Sequence, residues 1–172
     1  KNSLSSEAIS GLQGTCSIVG DKSISHRSLM FISIAEGTTR ISGILQSTDV
    51  HSTLNALREL GVRISILEED VVEVIGVGMH GLKRPTKPLD LGNSGTGVRL
   101  LMGLVAGQNI IATFTGDESL SSRPMRRITE PLSQMGVQVS DNSNGLLPIT
   151  ITGRSSPFPI NYNSPVASAQ IK

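Results

Sequence analysis

The chain has 172 residues, of which 37% are hydrophobic and 17% are charged, proportions that are ordinary for a protein with one packed core. Its 15 Lys and Arg residues against 14 Asp and Glu give a net charge of +1, which argues against non-specific nucleic-acid binding, since that needs a strongly basic face. Aromatic residues make up only 2% of the chain, so we expect no platform for stacking bases and no nucleic-acid partner.

The chain offers few residues for metals or disulfides. Cys16 is the only cysteine, and the three histidines, His26, His51 and His80, are scattered along the sequence. We therefore predict no metal and no cofactor. No apolar run approaches transmembrane length and no signal-peptide pattern opens the chain. These features favour a cytoplasmic enzyme without a membrane partner, or a plastid-stromal one if a transit peptide was removed.

A pattern recurs along the chain at two nearly equal intervals. Arg27, Arg99 and Lys172 each follow a short turn rich in Ser, Gly or Ala, and they are 72 and 73 residues apart. After each of the first two turns, the hydrophobic pattern predicts an apolar helix, a strand, an amphipathic helix and two more strands. This repeat predicts an α/β (α+β) domain of pseudo-threefold βαβαββ units, with two units present and the third cut at its start.

The elements of the first unit follow from local patterns. A run of small and apolar residues over 15–19 predicts a strand. The almost continuous apolar run over 27–35 predicts a buried helix, and Asp49 is a good N-cap for the next helix. The predicted elements are strands over 15–19 and 38–44, helices over 27–35 and 49–60, and strands over 62–66 and 72–74.

The second unit repeats this order. We expect a buried helix over 99–106, a strand over 110–115, a helix that starts at Pro124 and is bent at Pro131, and a closing strand over 147–152. The Pro-rich segment 155–159 is a linker to the third unit. The two apolar helices should lie side by side, so that their N-termini converge on one face of the domain.

The residues at these helix starts favour anion binding. Residues 20–27 combine Lys22, Ser23 and Arg27 with the unsatisfied N–H groups of a helix N-terminus, which suits a phosphate or carboxylate. The plain alternative, a capped helix with solvated charges, is equally compatible with these residues. Three arginines at 123–127 also need an anion nearby, and Arg123 is the best candidate among them.

The glycine-rich segment 92–97 is a weaker signal. Gly95 and its neighbours let a ligand approach the backbone, but taken alone they are better explained by a plain tight turn. The segment is neither a Rossmann fingerprint nor a P-loop. Ser94 lacks the Gly-x-Ser-x-Gly context of a hydrolase nucleophile, and nothing ties His26 or His51 to it, so a Ser-His-Asp hydrolase is disfavoured.

Four ordered motifs resemble one family, the 5-enolpyruvylshikimate-3-phosphate synthases. They are Gly-Asp-Lys-Ser-Ile-Ser-His-Arg at 20–27, Leu-Gly-Asn-Ser-Gly-Thr-Gly-Val-Arg at 91–99, Gly-Asp-x-Ser-Leu-x-x-Arg-Pro-Met at 116–125 and Pro-Val-Ala-Ser-Ala-Gln-Ile-Lys at 165–172. The resemblance implies a transferase that moves the enolpyruvyl group of phosphoenolpyruvate to the 5-hydroxyl of shikimate 3-phosphate, by addition and then elimination of phosphate. The sister family, the UDP-N-acetylglucosamine enolpyruvyl transferases, is the alternative, although it lacks the Ser-x-Ser-His-Arg continuation.

The resemblance also implies roles for individual residues. It places Lys22 against both substrates, as the catalytic residue. The other residues that it implies for shikimate 3-phosphate are Ser23, Arg27, Ser168, Ala169 and Gln170, and those for phosphoenolpyruvate are Asn93, Gly95, Arg123 and Gln170. Many relatives have a second Ser where Ala169 stands, so one phosphate contact would be made by backbone alone. The small Gly95 implies that glyphosate could occupy the phosphoenolpyruvate site.

The length departs from the family, whose members are more than twice as long. We therefore expect residues 1–19 to belong to a second domain and residues 20–172 to form the first two units and the start of the third. The chain alone should be inactive and should need a complementary C-terminal chain or fragment. The remaining alternative is an anion-binding module without chemistry of its own.

Overall fold

The structure is a computed structural model that describes residues 3–8, 10–11, 13–141 and 144–164. The helices in these ranges are α1 Lys22–Ser33, α2 Thr48–Glu59, α3 Gly95–Ala106, α4 Glu118–Ser121 and α5 Arg126–Gln134. The strands are β1 Glu36–Ser42, β2 Arg63–Glu68, β3 Val71–Val77, β4 Leu89–Asp90, β5 Ile111–Thr115, β6 Gln138–Asp141 and β7 Ile149–Thr152. None of the helices in the described part of the chain is long and apolar enough to cross a membrane.

The strands form two sheets, and three strands of the second sheet have the same order as the three strands of the first. The first sheet has the order β1-β3-β2, and the second has the order β4-β5-β7-β6. β1, β3 and β2 pair antiparallel, as do β5, β7 and β6, while β4 adds to β5 in parallel. Because β5-β7-β6 reproduces β1-β3-β2, the structure confirms the predicted α/β fold with two repeated units.

The core lies where the apolar helices meet each other and the sheets. α1 contacts α2, α3 and β3, and α3 contacts α5, β5 and β7. The large side chains with no solvent exposure include Leu29, Leu57, Leu101, Met102 and Phe114. Each contributes about 1.5–3 kcal/mol by leaving water. The predicted side-by-side arrangement of α1 and α3 is therefore present.

Two glycines mark equivalent positions of the repeat. A Cβ atom added to Gly76 would lie 2.3 Å from the Ala35 carbonyl oxygen, and one added to Gly153 would lie 2.2 Å from the Val105 carbonyl oxygen. Gly76 lies in β3 and Gly153 directly follows β7, and at both places the chain passes the end of the apolar helix of its unit. The two helix ends can approach their sheets this closely only because these positions lack side chains.

Several predicted boundaries at the helix starts are wrong. The predicted turns at 23–27 and 95–99 are the first turns of α1 and α3, because Asp21 and Ser94 cap the helices earlier than expected. Ser47, not Asp49, caps α2, through a hydrogen bond of 3.4 Å from the Val50 N–H. Asp49 lies in the first turn of α2 instead, where its side chain is available for another partner.

Other predicted elements also differ from the structure. The described residues within 15–19 form no strand, and α5 begins at Arg126, after Pro124 rather than at it. Pro131 does lie inside α5. The short elements α4 and β4 were not predicted, since four and two residues are too few to show a period. The buried-helix prediction for α1 is wrong for Phe31, which is 66% exposed and faces away from the core.

Candidate functional site

The first turn of α1 presents a lysine that is held from α2. Asp21 caps the helix by accepting a hydrogen bond of 2.8 Å from the Ile24 N–H. This cap places Lys22 at the first helical position, where its ammonium group forms an ion pair with the Asp49 carboxylate. The Lys22 side chain remains 48% exposed, so it can also contact a ligand.

The first turn of α3 presents backbone rather than long side chains. The buried Ser94 hydroxyl caps this helix by accepting a hydrogen bond of 3.1 Å from the Gly97 N–H. That structural role, together with the burial of Ser94, gives no support to a hydrolase nucleophile. Gly95 and Thr96 then line the open cleft in front of the turn. Because the first N–H groups of a helix lack partners within it, this turn suits an anion.

A small polar network fixes Asn93 and Arg123 relative to each other. Arg123 Nη2 donates to Asn93 Oδ1 at 2.6 Å and to Ser119 Oγ at 3.0 Å. Asn93 Nδ2 donates to Asp117 Oδ2 at 2.9 Å. Asp117 also caps α4, accepting from the Leu120 N–H at 2.7 Å. The guanidinium group of Arg123 is therefore oriented before any ligand arrives.

Arg99 adds a second guanidinium group to the same corner. Its Nη1 donates to the Gly95 carbonyl oxygen at 2.9 Å, and its Nη2 donates to the Pro124 carbonyl oxygen at 3.4 Å. Its buried Nε has no hydrogen-bond partner among the described residues. Burial, followed by repulsion from Arg127 and Arg123, lowers the pKa of Arg99. An anion between these cations would relieve that repulsion.

These groups enclose one open cleft of about 280 Å³ between the N-terminal turns of α1 and α3. It is lined by Lys22, Asp49, Asn93, Gly95, Thr96, Arg99 and Arg123. Three of the lining side chains are cationic and one is a carboxylate, which already pairs with Lys22. The cleft can therefore hold a phosphate or carboxylate through charge-assisted hydrogen bonds. No group of three potential metal ligands occurs in the described ranges.

The structure brings together part of the predicted site. Lys22, Asn93, Gly95 and Arg123 line the cleft. Ser23 and Arg27 do not line it, although both lie on α1, where Arg27 Nη1 donates to the Ser23 carbonyl oxygen at 3.3 Å. The remaining predicted residues, Ser168, Ala169 and Gln170, lie outside the described residues.

Sequence reasoning missed three residues that line the cleft: Asp49, Thr96 and Arg99. Asp49 was interpreted as a helix cap, and Arg99 as a marker of the repeat. The spacing of Asp49 and Thr53 offered a signal, because residues four apart share one face of a helix. Lys22 and His26 have the same spacing on α1, and the two pairs face each other.

The chain matches one protein family over nearly all of its length. The family model described as EPSP synthase (3-phosphoshikimate 1-carboxyvinyltransferase) matches residues 6–172. The 3-phosphoshikimate 1-carboxyvinyltransferase of Rhodopseudomonas palustris strain HaA2 is 54% identical over 162 residues, which are 94% of this chain and 36% of the relative. The enzyme of the same name from Streptococcus mutans is 54% identical over 164 residues, which are 95% of this chain and 38% of the relative.

A solved structure has the same fold over the matched part. EPSP synthase from Acinetobacter baumannii superposes with a TM-score of 0.87 and 48% sequence identity, over 92% of this chain and 36% of that one. The chain thus spans little more than a third of the length of the relatives it matches. Because the family model covers nearly all of the sequence, the chain belongs to the EPSP synthase (3-phosphoshikimate 1-carboxyvinyltransferase) family.

Proposed function

We propose that this chain forms the anion-binding half of a transferase that moves the enolpyruvyl group of phosphoenolpyruvate to the 5-hydroxyl of shikimate 3-phosphate. The observation that carries the proposal is the cleft in which the Lys22 ammonium group, the Gly95 backbone and the Arg123 guanidinium group converge. Both substrates carry phosphate and carboxylate groups, and a site with three cations and one carboxylate suits their charge.

The cleft divides between the two substrates according to its two sides. Asn93, Gly95 and Arg123, already joined by hydrogen bonds and by the α3 turn, hold phosphoenolpyruvate. Shikimate 3-phosphate extends beyond the cleft along the first turns of α1, where Ser23 and Arg27 hold it together with the predicted contacts of Ser168, Ala169 and Gln170. Lys22 lies between the two sides and contacts both substrates. Because glyphosate is also a small anion, it competes for the side that contains Gly95.

Lys22 is the residue of this chain that takes part in the chemistry. The 5-hydroxyl oxygen bonds to C2 of phosphoenolpyruvate and gives up its proton while C3 gains a proton, which forms the tetrahedral intermediate. Phosphate then leaves C2 as C3 loses a proton, and the enol double bond is restored. The ammonium group stabilises the negative charge that develops and can donate a proton during the addition. Asp49 compensates the charge of Lys22 before substrates bind.

The remaining catalytic groups come from outside this chain. Since the relatives are more than twice as long, a complementary polypeptide or segment supplies the third unit and the other domain. Residues 1–19 contribute to that other domain, and residues 20–172 to the substrate-binding domain. Shikimate 3-phosphate binds first and favours domain closure, which completes the phosphoenolpyruvate site. The enzyme works in the cytoplasm, or in the plastid stroma if a transit peptide is removed.

Activity of the full-length protein that carries this sequence tests the proposal. Phosphate release should require both phosphoenolpyruvate and shikimate 3-phosphate, and UDP-N-acetylglucosamine should not replace the latter. Titration calorimetry should show tight phosphoenolpyruvate binding only after shikimate 3-phosphate has bound. A protein that releases phosphate with UDP-N-acetylglucosamine, or with neither acceptor, would contradict the proposed function.

A further inference from the structure

His26 is a buried titratable residue for which the proposed chemistry has no use. Its side chain has no solvent exposure, although it lies in the second turn of α1, between Lys22 and Arg27. Its Nδ1 is 2.8 Å from Thr53 Oγ1 on α2, and its Nε2 has no hydrogen-bond partner in the described part of the chain. A buried polar group of this kind costs stability, so its presence needs a reason.

The His26–Thr53 contact is the inner of two polar contacts between α1 and α2. The outer one is the ion pair between Lys22 and Asp49 at the edge of the cleft. Lys22 and His26 are four residues apart on α1, and Asp49 and Thr53 are four residues apart on α2, so each pair is one helical turn from the other. The two contacts together fix how far the first turn of α1 lies from α2, and hence where Lys22 is held.

Thr53 also lies against the first turn of α3. A Cβ atom added to Gly97 would be 2.6 Å from Thr53 Oγ1 and 2.6 Å from Ser94 Oγ. The Thr53 hydroxyl therefore occupies the space beside the α3 turn, next to the residue that caps it. It has no solvent exposure and does not line the cleft, so it touches no ligand directly.

We propose that His26 and Thr53 are positioning residues, whose hydrogen bond sets the distance between the α1 turn that carries Lys22 and the α3 turn that carries Gly95. The inference rests on the proposed function, because it assigns the two turns to the two substrates. His26 holds the Thr53 hydroxyl in one orientation, and the hydroxyl in turn separates α2 from Gly97. The pair thereby sets how far apart the two bound substrates lie.

This distance matters for the rate more than for the binding of either substrate. The addition step requires the 5-hydroxyl oxygen and the enolpyruvyl carbon to be held in a reactive geometry, and a displacement of about 1 Å can cost about 100-fold in rate. Each substrate, by contrast, keeps its own anion contacts when the turns shift relative to each other. Loss of the contact should therefore lower kcat while the dissociation constant of shikimate 3-phosphate changes little.

The test compares Thr53→Val with two matched variants in the full-length protein. Thr53→Val replaces the hydroxyl with a methyl of similar size and should lower kcat at least tenfold, with shikimate 3-phosphate binding changed less than threefold. Thr53→Ser keeps the hydroxyl and should restore kcat to within about threefold of wild type. Thr113→Val removes a hydroxyl of another paired threonine, 2.8 Å from Thr150 Oγ1 in the second sheet, and should leave kcat unchanged.

Two outcomes of this comparison overturn the inference. One is a Thr53→Val protein with a lower unfolding temperature but a kcat within twofold of wild type, which would make the hydroxyl merely structural. The other is an equal loss of kcat in Thr53→Val and Thr53→Ser, which would assign the effect to the methyl group and its packing. An inactive wild-type protein overturns the proposed function itself, so the two failures are distinguishable.

A double variant covers the case in which Thr53→Val does not fold. Replacing both partners of a buried hydrogen bond with apolar groups can be nearly neutral for stability, whereas removing one leaves the other unsatisfied. The Thr53→Val/His26→Leu protein should therefore fold, and its kcat should remain at least tenfold below wild type. If the two residues act as one unit, the double variant loses no more kcat than either foldable single variant. A folded double variant with wild-type kcat overturns the inference, as does a fully additive loss.

Discussion

The two repeated units share a topology but contribute different chemistry to the cleft. Each unit has three antiparallel strands in the same order, packed against an apolar helix whose N-terminus faces the cleft. The first unit contributes a long cationic side chain, Lys22, held by Asp49. The second contributes the backbone of Gly95 in the first turn of its helix, together with the guanidinium groups of Arg99 and Arg123. The two units therefore share the arrangement of strands and helices but differ in the residues at the starts of their apolar helices.

The units also differ in how completely they are covered. α3 packs Leu101, Met102 and Val105 into the core with no exposure, whereas α1 leaves Ile24 and Phe31 each 66% exposed. These two residues are seven apart and so lie on one face of the helix. The second unit also has the extra strand β4, parallel to β5, for which the described part of the first unit has no counterpart. The second unit is therefore the more complete copy of the predicted βαβαββ pattern.

The largest predicted effect concerns the side-chain chemistry of the first unit. Lys22→Ala in the full-length protein should lower kcat/KM at least 100-fold, or about 2.7 kcal/mol, because the developing charge loses its ammonium partner. Lys87→Ala is the matched control, since Lys87 also pairs with a carboxylate, Glu59 Oε1 at 3.0 Å, but away from the cleft. Steady-state kinetics check both variants, and a loss below tenfold for Lys22→Ala would remove Lys22 from the chemistry.

Because the two units share their backbone arrangement, substitutions at equivalent glycines should cost equal amounts of stability. Gly76→Ala and Gly153→Ala each place a methyl group within 2.3 Å of a backbone carbonyl oxygen that cannot move aside easily. Each substitution should destabilise the protein by about 2–3 kcal/mol through overpacking. Gly107→Ala is the control, because its Cβ would meet only the Leu104 carbonyl oxygen, at 3.7 Å. Thermal unfolding measures the stability of the three variants. Clearly unequal losses of stability in Gly76→Ala and Gly153→Ala would contradict the structural equivalence of the two units.

The order of helices and strands could be predicted from the sequence, because it follows from the spacing of the apolar residues. The apolar runs after Arg27 and Arg99 are long enough to identify helices, and alternating Val and Ile residues identify the strands. Helix starts were harder, because a residue such as Asp49 satisfies the cap pattern as well as the true cap Ser47 does. Phe31 shows a further limit, since an apolar residue in a helix does not reveal which neighbour, if any, covers it.

The site could be predicted only where a residue contributes to the cleft within a recognisable motif. Lys22, Asn93, Gly95 and Arg123 were found in this way. The spacing of Asp49 and Thr53 shows only that they share a face of α2. It does not show that this face meets Lys22 and His26, because that depends on the packing of α2 against α1. The hydrogen bonds that orient Arg123 join residues up to 30 positions apart, and no local pattern encodes such a distance.

A smaller effect is expected at the backbone side of the cleft. An alanine at Gly95 would bring its Cβ to 3.0 Å from Arg99 Nη1 and 3.3 Å from Arg123 Nη1. Both atoms are ends of flexible side chains, so the protein should stay folded while the two guanidinium groups move. We expect the KM for phosphoenolpyruvate to rise about tenfold, which corresponds to about 1.4 kcal/mol.

Gly103→Ala provides the control for this substitution within the same helix. Its Cβ would meet nothing within 4 Å, so KM should not change. Helix propensity alone should make this variant more stable by about 0.5–1 kcal/mol. Kinetics at varied phosphoenolpyruvate concentration measure the first effect, and thermal unfolding measures the second. If both variants leave KM unchanged, the α3 turn does not contact this substrate. The two units would then not differ in the way proposed for their contacts with substrate.

The smallest effect is a pH dependence that only the first unit should show. Burial, followed by repulsion from Lys22, lowers the pKa of His26 below its ordinary value of 6.5; Arg27 adds to this and Asp49 opposes it. The unfolded chain therefore binds this proton more readily than the native protein does. The stability that neutral His26 contributes is complete above pH 6.5 and is lost as the pH falls through and below that value.

The His26→Asn variant isolates this contribution. Asn can keep a polar atom near the position of Nδ1, but it does not titrate, so the stability of the variant should fall less steeply below pH 6.5. The difference in slope cannot exceed about 1.36 kcal/mol per pH unit for one proton. Denaturant unfolding of both proteins at several pH values between about 5 and 8 measures this difference. Identical slopes would mean that His26 is not buried in its neutral form, and the polar contact with Thr53 would then lose its structural basis.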